Sequence, residues 1–292
     1  MEFNQLEVLV SAIQDGGFSR AADRLGCTQP AISQAIHKLE AEFGELLLQR
    51  SAKEVTLTAC GQIIYDYAMH LLNIRKDAES AIQEQKDLRQ GKLVIGANEY
   101  TVSYLLPAIT LFSHRYPHIK IEVKRSMGSR VPILVLSHEF EVGVVSYRPS
   151  LKGLKIVPSA MDDMILIVHA QHRLAKRGTV SVSDLGEESF IAQSVQSPYR
   201  ERVVEQFEKC GTPLNIRLEL PMLEAIKHAV QNELGIAFMP KLTAQSEINE
   251  GSLVALKVRE IQFQRRLHLV YREASKLSHA ARAFLAMIRK KD

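Results

Sequence analysis

The sequence predicts an α/β chain in three parts: an all-α amino-terminal module with a small β-wing, one long helix, and a two-lobed α/β region. Three observations support this prediction. Two helical patterns joined by a tight turn lie in residues 19–44. A narrow apolar repeat follows, and no glycine or proline lies between Gln62 and Gln90. Strand and helix patterns then alternate from Gly91 onward.

The amino-terminal module opens with an amphipathic helix and the first half of a helix hairpin. Residues 3–13 carry apolar side chains at helical spacing, and two glycines end that helix. Ser19 is suited to cap the next helix, which extends to Leu25. Gly26 then supplies the backbone freedom that helices need just past their last residue. These features predict two helices with a structural role, which pack against the second helix of the hairpin.

The second helix of the hairpin has two faces of different character. Thr28 is suited to cap it, and Pro30 falls in its first turn, where a missing N–H costs nothing. The positions that repeat at steps of three and four form an apolar stripe: Ile32, Ala35, Ile36, Leu39 and Phe43. The opposite face carries hydrogen-bonding side chains without a carboxylate: Ser33, Gln34, His37 and Lys38. Such a face suits base edges and phosphates, and the alternative is the solvated face of an ordinary bundle helix.

Residues 46–58 read as a β-wing after the hairpin. Val55 and Leu57 alternate with polar residues, and the tip from Arg50 to Lys53 is basic. In a winged helix-turn-helix the second helix of the motif enters the major groove and the wing touches the backbone or minor groove. The predicted DNA contacts are Thr28, Gln29, Pro30, Ser33, Gln34, His37, Lys38, Arg50 and Lys53.

A single long helix is predicted from Cys60 to Leu88. Its apolar positions alternate steps of four and three: Cys60, Ile64, Tyr67, Leu71, Ile74, Ala78, Ala81, Gln85 and Leu88. A narrow seam of this period needs a partner helix, whereas a helix lying on its own domain usually has a wider stripe. We therefore predict a dimer that pairs through Ile64, Tyr67, Leu71 and Ile74.

The remaining two hundred residues predict a parallel-rich α/β sheet in two lobes. The expected strands cover residues 92–97, 119–124, 141–145, 164–169, 190–192, 216–219, 236–240 and 267–271, with a crossing near 154–158. The expected helices cover residues 102–116, 131–137, 199–210, 222–232 and 278–289. The predicted domains are residues 1–59, 60–90 and 91–292. The first lobe takes 91–160 and 267–292, and the second takes 161–266.

Composition and motifs favour an intracellular binding protein over an enzyme. Residues 1–60 hold five Lys/Arg against eight Asp/Glu, so DNA affinity depends on where the cations lie. The sequence lacks GxSxG, P-loop and HExxH motifs, and Asp162-Asp163 suits a solvated loop or a cap better than catalysis. The three cysteines and the His169/His172 pair predict neither a disulfide framework nor a metal, and no cofactor is expected. A first segment without a basic start or a membrane-length apolar run predicts a cytoplasmic location without membrane association.

The amino-terminal sixty residues resemble LysR-type transcriptional regulators. The residues that carry the resemblance are Ala21-Ala22, Thr28 to Ser33, Ile36, Leu39-Glu40, Phe43-Gly44, Leu47, Arg50, Leu57-Thr58 and Gly61. The α/β region resembles the effector-binding domain of that family, which looks like a small periplasmic binding protein. The matching segments there are Gly91 to Gly96, Leu106-Pro107, Leu174-Ala175 and Leu234 to Ala237, with Glu233 where glycine is common. The resemblance implies a dimer or dimer of dimers on a pseudo-palindromic operator, a small effector, and RNA polymerase as a partner.

Two loops are the candidate effector-binding elements, since ligands of open α/β sheets bind beyond the carboxyl ends of strands. Each follows a strand and opens a helix. The candidate residues are Glu99, Tyr100, Thr101 and Ser103 in the first loop, Gln193, Ser194 and Ser197 in the second, and Ser146 outside both loops. If two helix starts converge there, the effector is expected to be a small anion or an amino-acid-like molecule. Ordinary helix capping by Thr101, Ser103 and Ser197 explains these residues equally well.

The sequence therefore predicts a LysR-type regulator that an effector in the inter-lobe cleft controls. The competing class is a solute-binding or enzymatic α/β domain with a helical oligomerisation segment. The polar, acid-free face behind the Thr28-Gln29-Pro30 turn favours the regulator, because a solute-binding protein has no use for it.

Overall fold

The computed structural model describes residues 1–50, 55–86, 91–195, 197–273 and 277–289, and within them the side chains of residues 50, 80, 81, 83–86 and 289 are not described. The helices are α1 (Phe3–Gln14), α2 (Phe18–Leu25), α3 (Gln29–Phe43), α4 (Ala59–Lys86), α5 (Val102–Arg115), α6 (Val131–Leu136), α7 (Pro198–Lys209), α8 (Leu223–Gln231), α9 (Gln245–Glu250) and α10 (His279–Arg289). The strands are β1 (Leu48–Arg50), β2 (Val55–Leu57), β3 (Gly91–Ala97), β4 (Ile119–Arg125), β5 (Val142–Val145), β6 (Lys155–His169), β7 (Thr179–Val180), β8 (Phe190–Gln193), β9 (Ile216–Leu220), β10 (Ala237–Pro240), β11 (Leu253–Val258) and β12 (Gln264–Tyr271).

The amino-terminal helices pack around one apolar core with the start of α4. Leu9, Ile32, Ile36 and Leu39 are fully buried in it. The predicted cap of α2 is wrong, because Ser19 lies inside that helix and Gly17 occupies the position before its first residue. A glycine costs little there, so α2 forms without a side-chain cap.

Helix α4 is 28 residues long and extends about 42 Å. Its first half covers the amino-terminal core, since Ala68 is fully buried against that core. The uninterrupted helix that the sequence predicts is present through Lys86. Its predicted last residues, 87 and 88, lie outside the described residues. The helix separates the amino-terminal module from the α/β region.

The first lobe is built on strands β3, β4 and β5, which run parallel. Helices α5 and α10 cover one face of this sheet, where Phe112 and Phe284 meet edge to face with ring centroids 5.4 Å apart. Helix α6 covers the other face with Val131 and Val135. The carboxyl ends of the three strands therefore deliver their loops to a single edge of the lobe.

The second lobe contains strands that the sequence analysis missed. Strand β6 pairs antiparallel with β10 and β11, and β11 pairs parallel with the short β7. Strands β8 and β9 form a separate parallel pair. Two clusters on opposite faces of β6 make up the core, one around Leu166 and Val168, the other around Ile165 and Ile167.

The two lobes are joined by strands that pass from one into the other. Strand β6 runs unbroken for 15 residues, where the sequence analysis expected a crossing and a separate strand. Its first half pairs with β12, and the pairing shifts register between Arg266 and His268. The polar Asp162-Asp163 pair looks like a break in sequence, yet it lies within β6. The predicted two-lobed α/β architecture after a helix-turn-helix module is confirmed, with a mixed sheet in place of a parallel-rich one.

Candidate nucleic-acid interface and inter-lobe cleft

The turn of the helix hairpin has the backbone that the sequence predicts. Gly26 ends α2 in the left-handed conformation, with φ of 65°. Thr28 precedes α3 with extended backbone, but its side chain accepts no capping hydrogen bond. The carbonyl oxygen of Thr28 instead accepts the amides of Ala31 and Ile32 at 3.0 and 3.2 Å. The Thr28 hydroxyl is therefore not committed to the helix, and the residue is exposed.

The predicted polar face of α3 is open to solvent. Gln34, His37 and Lys38 are exposed, and Ser33 is half-buried beside the apolar stripe. The first turn is exposed as well, at Thr28, Gln29 and Pro30. Within the described part of the chain, Lys38 has no salt-bridge partner. A solvent-exposed face of hydrogen-bonding side chains without a carboxylate is able to meet the edges of bases.

Glu40, which the sequence analysis did not single out as a functional residue, fixes α3 to the wing. It is 6% exposed, and its Oε1 accepts the amides of Leu47 and Leu48 at 3.0 and 3.3 Å. A buried carboxylate that accepts backbone amides needs such partners to offset its desolvation. The His37 ring lies 3.6 Å from the other oxygen of Glu40. The position of the wing relative to the exposed face therefore depends on Glu40.

The wing is also held against α4. Thr58 donates a 2.7 Å hydrogen bond to the carbonyl of Leu46 and accepts the amide of Gly61 at 2.9 Å. A Cβ at Gly61 would lie 1.8 Å from the carbonyl oxygen of Leu47, so only glycine fits. The backbone of Arg50 ends β1, while Lys53 lies outside the described residues. The wing contacts predicted for these two cations stay predictions.

The apolar seam predicted on α4 divides into two faces. Ile64 and Leu71 pack against the amino-terminal core of their own chain, so they do not form the outer seam. Tyr67 and Ile74 are 65% and 47% exposed, and Ile63, 57% exposed, lies on the same side of the helix. The sequence repeat has the right period, but the centre of the exposed stripe is rotated about 40° around the helix from the predicted one.

The second half of α4 contacts the first lobe directly. Asp77 lies 2.6 Å from the Nδ1 of His138 and 3.5 Å from the guanidinium of Arg272. Asn73 donates a 3.0 Å hydrogen bond to the carbonyl of Ser137. Arg272 is buried, and it also donates to the carbonyls of residues 135 and 140. These contacts join the helix that carries the DNA-binding module to the lobe that carries half of the cleft.

The cleft loop of the first lobe follows β3, and its residues have different roles. Thr101 is fully buried, and its hydroxyl contacts the backbone of Asn98 and Val144. That hydroxyl is engaged by the lobe's own backbone, and the predicted contact of Thr101 with an effector stays a prediction. Ser103 is half-buried on α5. Glu99 reaches the other lobe, where its carboxylate accepts the amide of Leu223 at 2.6 Å.

The cleft loop of the second lobe follows β8. Gln193 donates to Glu99 at 3.1 Å across the cleft. Ser197 precedes α7, and its hydroxyl accepts the amide of Arg200 at 3.2 Å. Ser197 therefore caps this helix, which is the alternative role that the sequence offered for it. Ser194 is exposed, and its amide is bound to a backbone carbonyl at 3.0 Å.

A further contact crosses the cleft at Ser146, whose carbonyl accepts the hydroxyl of Tyr199 at 3.3 Å. With Glu99 and Gln193, this contact brings the two predicted loops together. Two helix starts near the cleft are partly engaged, because the Ser197 hydroxyl caps α7 and the amide at the start of α8 binds the Glu99 carboxylate. The expectation of an anionic or amino-acid-like effector stays a prediction.

A buried ion pair lies next to the cleft loop of the first lobe. Arg265 and Asp162 are 1% and 0% exposed at the side chain, with a nitrogen and an oxygen 2.5 Å apart. Arg265 also donates to the carbonyl of Tyr100 at 2.7 Å, and Asp162 accepts the amide of Leu242 at 3.1 Å. The expectation that Asp162 is solvated is wrong. It links the strands that join the lobes to the loop that carries Tyr100.

Burial raises the pKa of Tyr100 to about 12, and the neighbouring Glu99 carboxylate adds to the shift. The phenol therefore stays protonated throughout the physiological range. Among the described residues, no group of three or more His, Cys, Asp or Glu side chains could hold a metal ion. Within the same ranges, no helix is long and apolar enough to cross a membrane.

Comparison with known proteins identifies the class to which the amino-terminal module and the α/β region belong. Residues 3–62 match the family model for bacterial regulatory helix-turn-helix proteins of the lysR family, and residues 86–292 match the LysR substrate binding domain. The chain is a DNA-binding transcriptional regulator with an effector-binding domain. It belongs to the LysR family, as the sequence resemblance implied.

Relatives and solved structures agree with this assignment. A protein of Emiliania huxleyi named "Probable RuBisCO transcriptional regulator" is 32% identical over 91% of this chain and 87% of its own. The fold is similar to that of full-length CbnR complexed with its target DNA, with a TM-score of 0.73 at 20% identity and full coverage of both chains. The regulatory domain of CcmR from Synechocystis, solved with 2-PG, aligns with 69% of this chain and 97% of that domain, with a TM-score of 0.59 at 24% identity.

Proposed function

We propose that this regulator binds a pseudo-palindromic operator as a homodimer, or as a dimer of dimers, with α3 of each copy in the major groove. The exposed, acid-free face of Gln34, His37 and Lys38 is the observation that carries the proposal. Gln29 and Ser33 extend this face toward the first turn of α3. The basic wing anchors phosphates beside the groove, as its Arg50 and Lys53 suggest.

Pairing of two chains through the exposed stripe of α4 supplies the dimer. Tyr67 and Ile74 lie on that stripe, and an uncovered apolar seam of this spacing is stabilised by a second copy of itself. Two copies of α3 then reach half-sites about 34–36 Å apart, one helical turn of DNA, or a multiple of that spacing.

A small effector bound between the lobes controls this DNA binding. Glu99, Gln193 and Tyr199 make contacts across the cleft, so a ligand that enters must exchange them for its own contacts. A ligand shifts a conformational equilibrium only by its differential affinity for the two states. The contact of Asp77 with His138 carries the change from the first lobe to α4. The regulator acts in the cytoplasm and presents its operator complex to RNA polymerase.

Operator selection with the full-length chain tests the proposal. Random duplexes that survive repeated rounds of binding and sequencing should contain two inverted half-sites whose centres lie one or two helical turns apart. The control is the Gln34→Ala, Lys38→Ala double variant, which should enrich no such sequence. Enrichment of single, unpaired half-sites would contradict the dimer, and an identical motif from the control would contradict the role of α3.

A further inference from the structure

The second lobe contains an apolar pocket beneath the cleft loop that the proposed function does not use. It lies between β8, β10 and α7, and its cavity volume is about 80 Å³. The walls are formed by Phe190, Ile191, Val203, Leu214, Ile216 and Phe238. The rings of Phe190 and Phe238, both in the pocket wall, are nearly parallel, with an interplanar angle of 5° and centroids 5.8 Å apart. Aromatic side chains in a wall suit a planar apolar group, which packs against them edge to face or in an offset stack.

The polar groups at this pocket select against an anionic ligand. The guanidinium of Arg200 is already engaged, at 2.9 Å from the carbonyl of Gln193 and 2.5 Å from Glu219. The Nε2 of Gln193 donates to Glu99 and to the carbonyl of Pro221. A carboxylate in the apolar interior would therefore lack a free cation and would lose its hydration.

One polar atom in the pocket wall has no hydrogen-bond partner. The Oε1 of Gln193 is buried and is unpaired among the described residues. A buried acceptor without a donor is unfavourable, and an N–H or O–H group of a ligand would satisfy it. Gln193 lines the pocket, so a donor group at one end of a bound ligand can reach this acceptor.

Tyr100 of the first lobe closes the pocket from the cleft side. Its side chain lines the pocket and packs against the core of the second lobe. The preceding residue, Glu99, binds Leu223 and Gln193 across the cleft. A group that enters the pocket from the cleft side meets the Tyr100 ring. Movement of that ring would disturb the contact of the adjacent Glu99 with the second lobe.

We propose that this pocket binds an uncharged single aromatic ring with an O–H or N–H donor, and that the ring displaces Tyr100 as it enters. The proposal deepens the proposed function and rests on its effector cleft. A cavity of roughly 150 Å³ accommodates benzene in a protein core. The 80 Å³ available here is too small until Tyr100 moves, so occupancy and lobe arrangement are coupled. The cleft thereby receives a neutral ligand in place of the anion that the sequence suggested.

Phenol is the direct probe, tested on the full-length chain by thermal shift and calorimetry, with toluene and benzoate for comparison. Val203→Leu adds a methylene to a pocket wall, while Val204→Leu makes the same change on the neighbouring residue of α7, which does not line this pocket. Phenol should stabilise the wild type saturably, Val203→Leu should weaken phenol binding at least about five-fold, and Val204→Leu should bind it as the wild type does. Benzoate should bind more weakly than phenol.

The acceptor is tested separately with Gln193→Met. Loss of one neutral hydrogen bond corresponds to about two- to ten-fold in affinity. Phenol binding should weaken by that factor in Gln193→Met, whereas toluene, which has no donor, should not weaken. If a substitution in the wall unfolds the chain, methyl NMR of the wild type replaces it: phenol protons should show contacts to the methyl groups of Ile191 and Ile216.

Several results separate this inference from the proposed function. Absence of saturable phenol binding, or equal binding by Val203→Leu and Val204→Leu with no contacts to the pocket methyl groups, overturns the pocket assignment. The effector cleft survives that result if another molecule, such as inorganic phosphate, changes operator affinity. Phenol bound in the pocket without any change in operator affinity supports the pocket and contradicts the proposed control through the cleft.

Discussion

The exposed stripe of α4 provides a quantitative prediction about assembly. Ile74 is 47% exposed in the single chain. Complete burial of an isoleucine side chain stabilises by about 1.5–3 kcal/mol, so covering the exposed half in both copies contributes about 1.5–3 kcal/mol to a dimer. In Ile74→Asp that term is lost, and an unpaired carboxylate facing the seam costs about 3 kcal/mol more. The dimer dissociation constant should therefore rise about a thousand-fold or more.

Sedimentation velocity across a dilution series measures this change, and circular dichroism checks that the variant is folded. The matched control is Ile133→Asp, because Ile133 is 55% exposed but lies on α6 in the first lobe. Ile74→Asp should sediment as a folded monomer and Ile133→Asp as the wild type. A wild-type dimer constant for Ile74→Asp, or equal dissociation of both variants, would refute pairing through this stripe.

Three further predictions concern the linker contact and the α/β region. Asp77→Ala removes the carboxylate that contacts His138, and loss of this interaction lowers stability by about 1–3 kcal/mol. Hydrogen exchange around residues 73–80 should accelerate while the amino-terminal module melts as before; unchanged exchange would show that the contact is not stabilising. Burial raises the pKa of Glu141, so its ionisation destabilises the fold as pH rises from the ordinary carboxyl range through the raised pKa. Glu141→Gln should therefore raise the free energy of unfolding at pH 7, and with it the melting temperature, by about 1.4 kcal/mol for each unit by which the pKa is raised. The gain should vanish in acid, and a gain independent of pH would contradict this cause. Glu233 adopts a φ of +60°, so Glu233→Gly should stabilise the chain by about 1 kcal/mol in urea denaturation, and destabilisation would mean that its contact with His169 outweighs the backbone strain.

The parts of the fold that depend on local pattern could be predicted from the sequence. The hairpin, the long helix and the strand–helix alternation each have a period that reports which side chains are buried. Periodicity does not tell which neighbour covers a stripe. Ile64 and Leu71 were therefore assigned to a second chain, although α1 of the same chain packs there. The exposed face had to be identified from the packed structure.

Contacts between residues distant in sequence account for what the sequence analysis missed at the cleft. Asp162 looks like a solvated loop residue until Arg265, 103 positions later, buries it in an ion pair. Thr101 looks like a ligand contact because its position before a helix is polar, and its burial follows from its packing on β5. The role of Glu99 as a bridge between lobes requires the position of α8. The two predicted loops do face each other across the cleft, where Glu99 of one contacts Gln193 of the other, since each follows the carboxyl end of a strand in its own lobe.

The most direct test of the account is the affinity of the α3 face for a selected operator. Fluorescence anisotropy with the full-length chain compares the wild type with Gln34→Ala, Lys38→Ala. The control is Gln171→Ala, Lys176→Ala, because it removes an exposed glutamine and an exposed lysine in the second lobe. Lost base contacts cost about 1–3 kcal/mol each, so the α3 variant should bind at least about thirty-fold more weakly, and the control should bind as the wild type does. Wild-type affinity and specificity in the α3 variant would contradict the placement of this helix in the major groove.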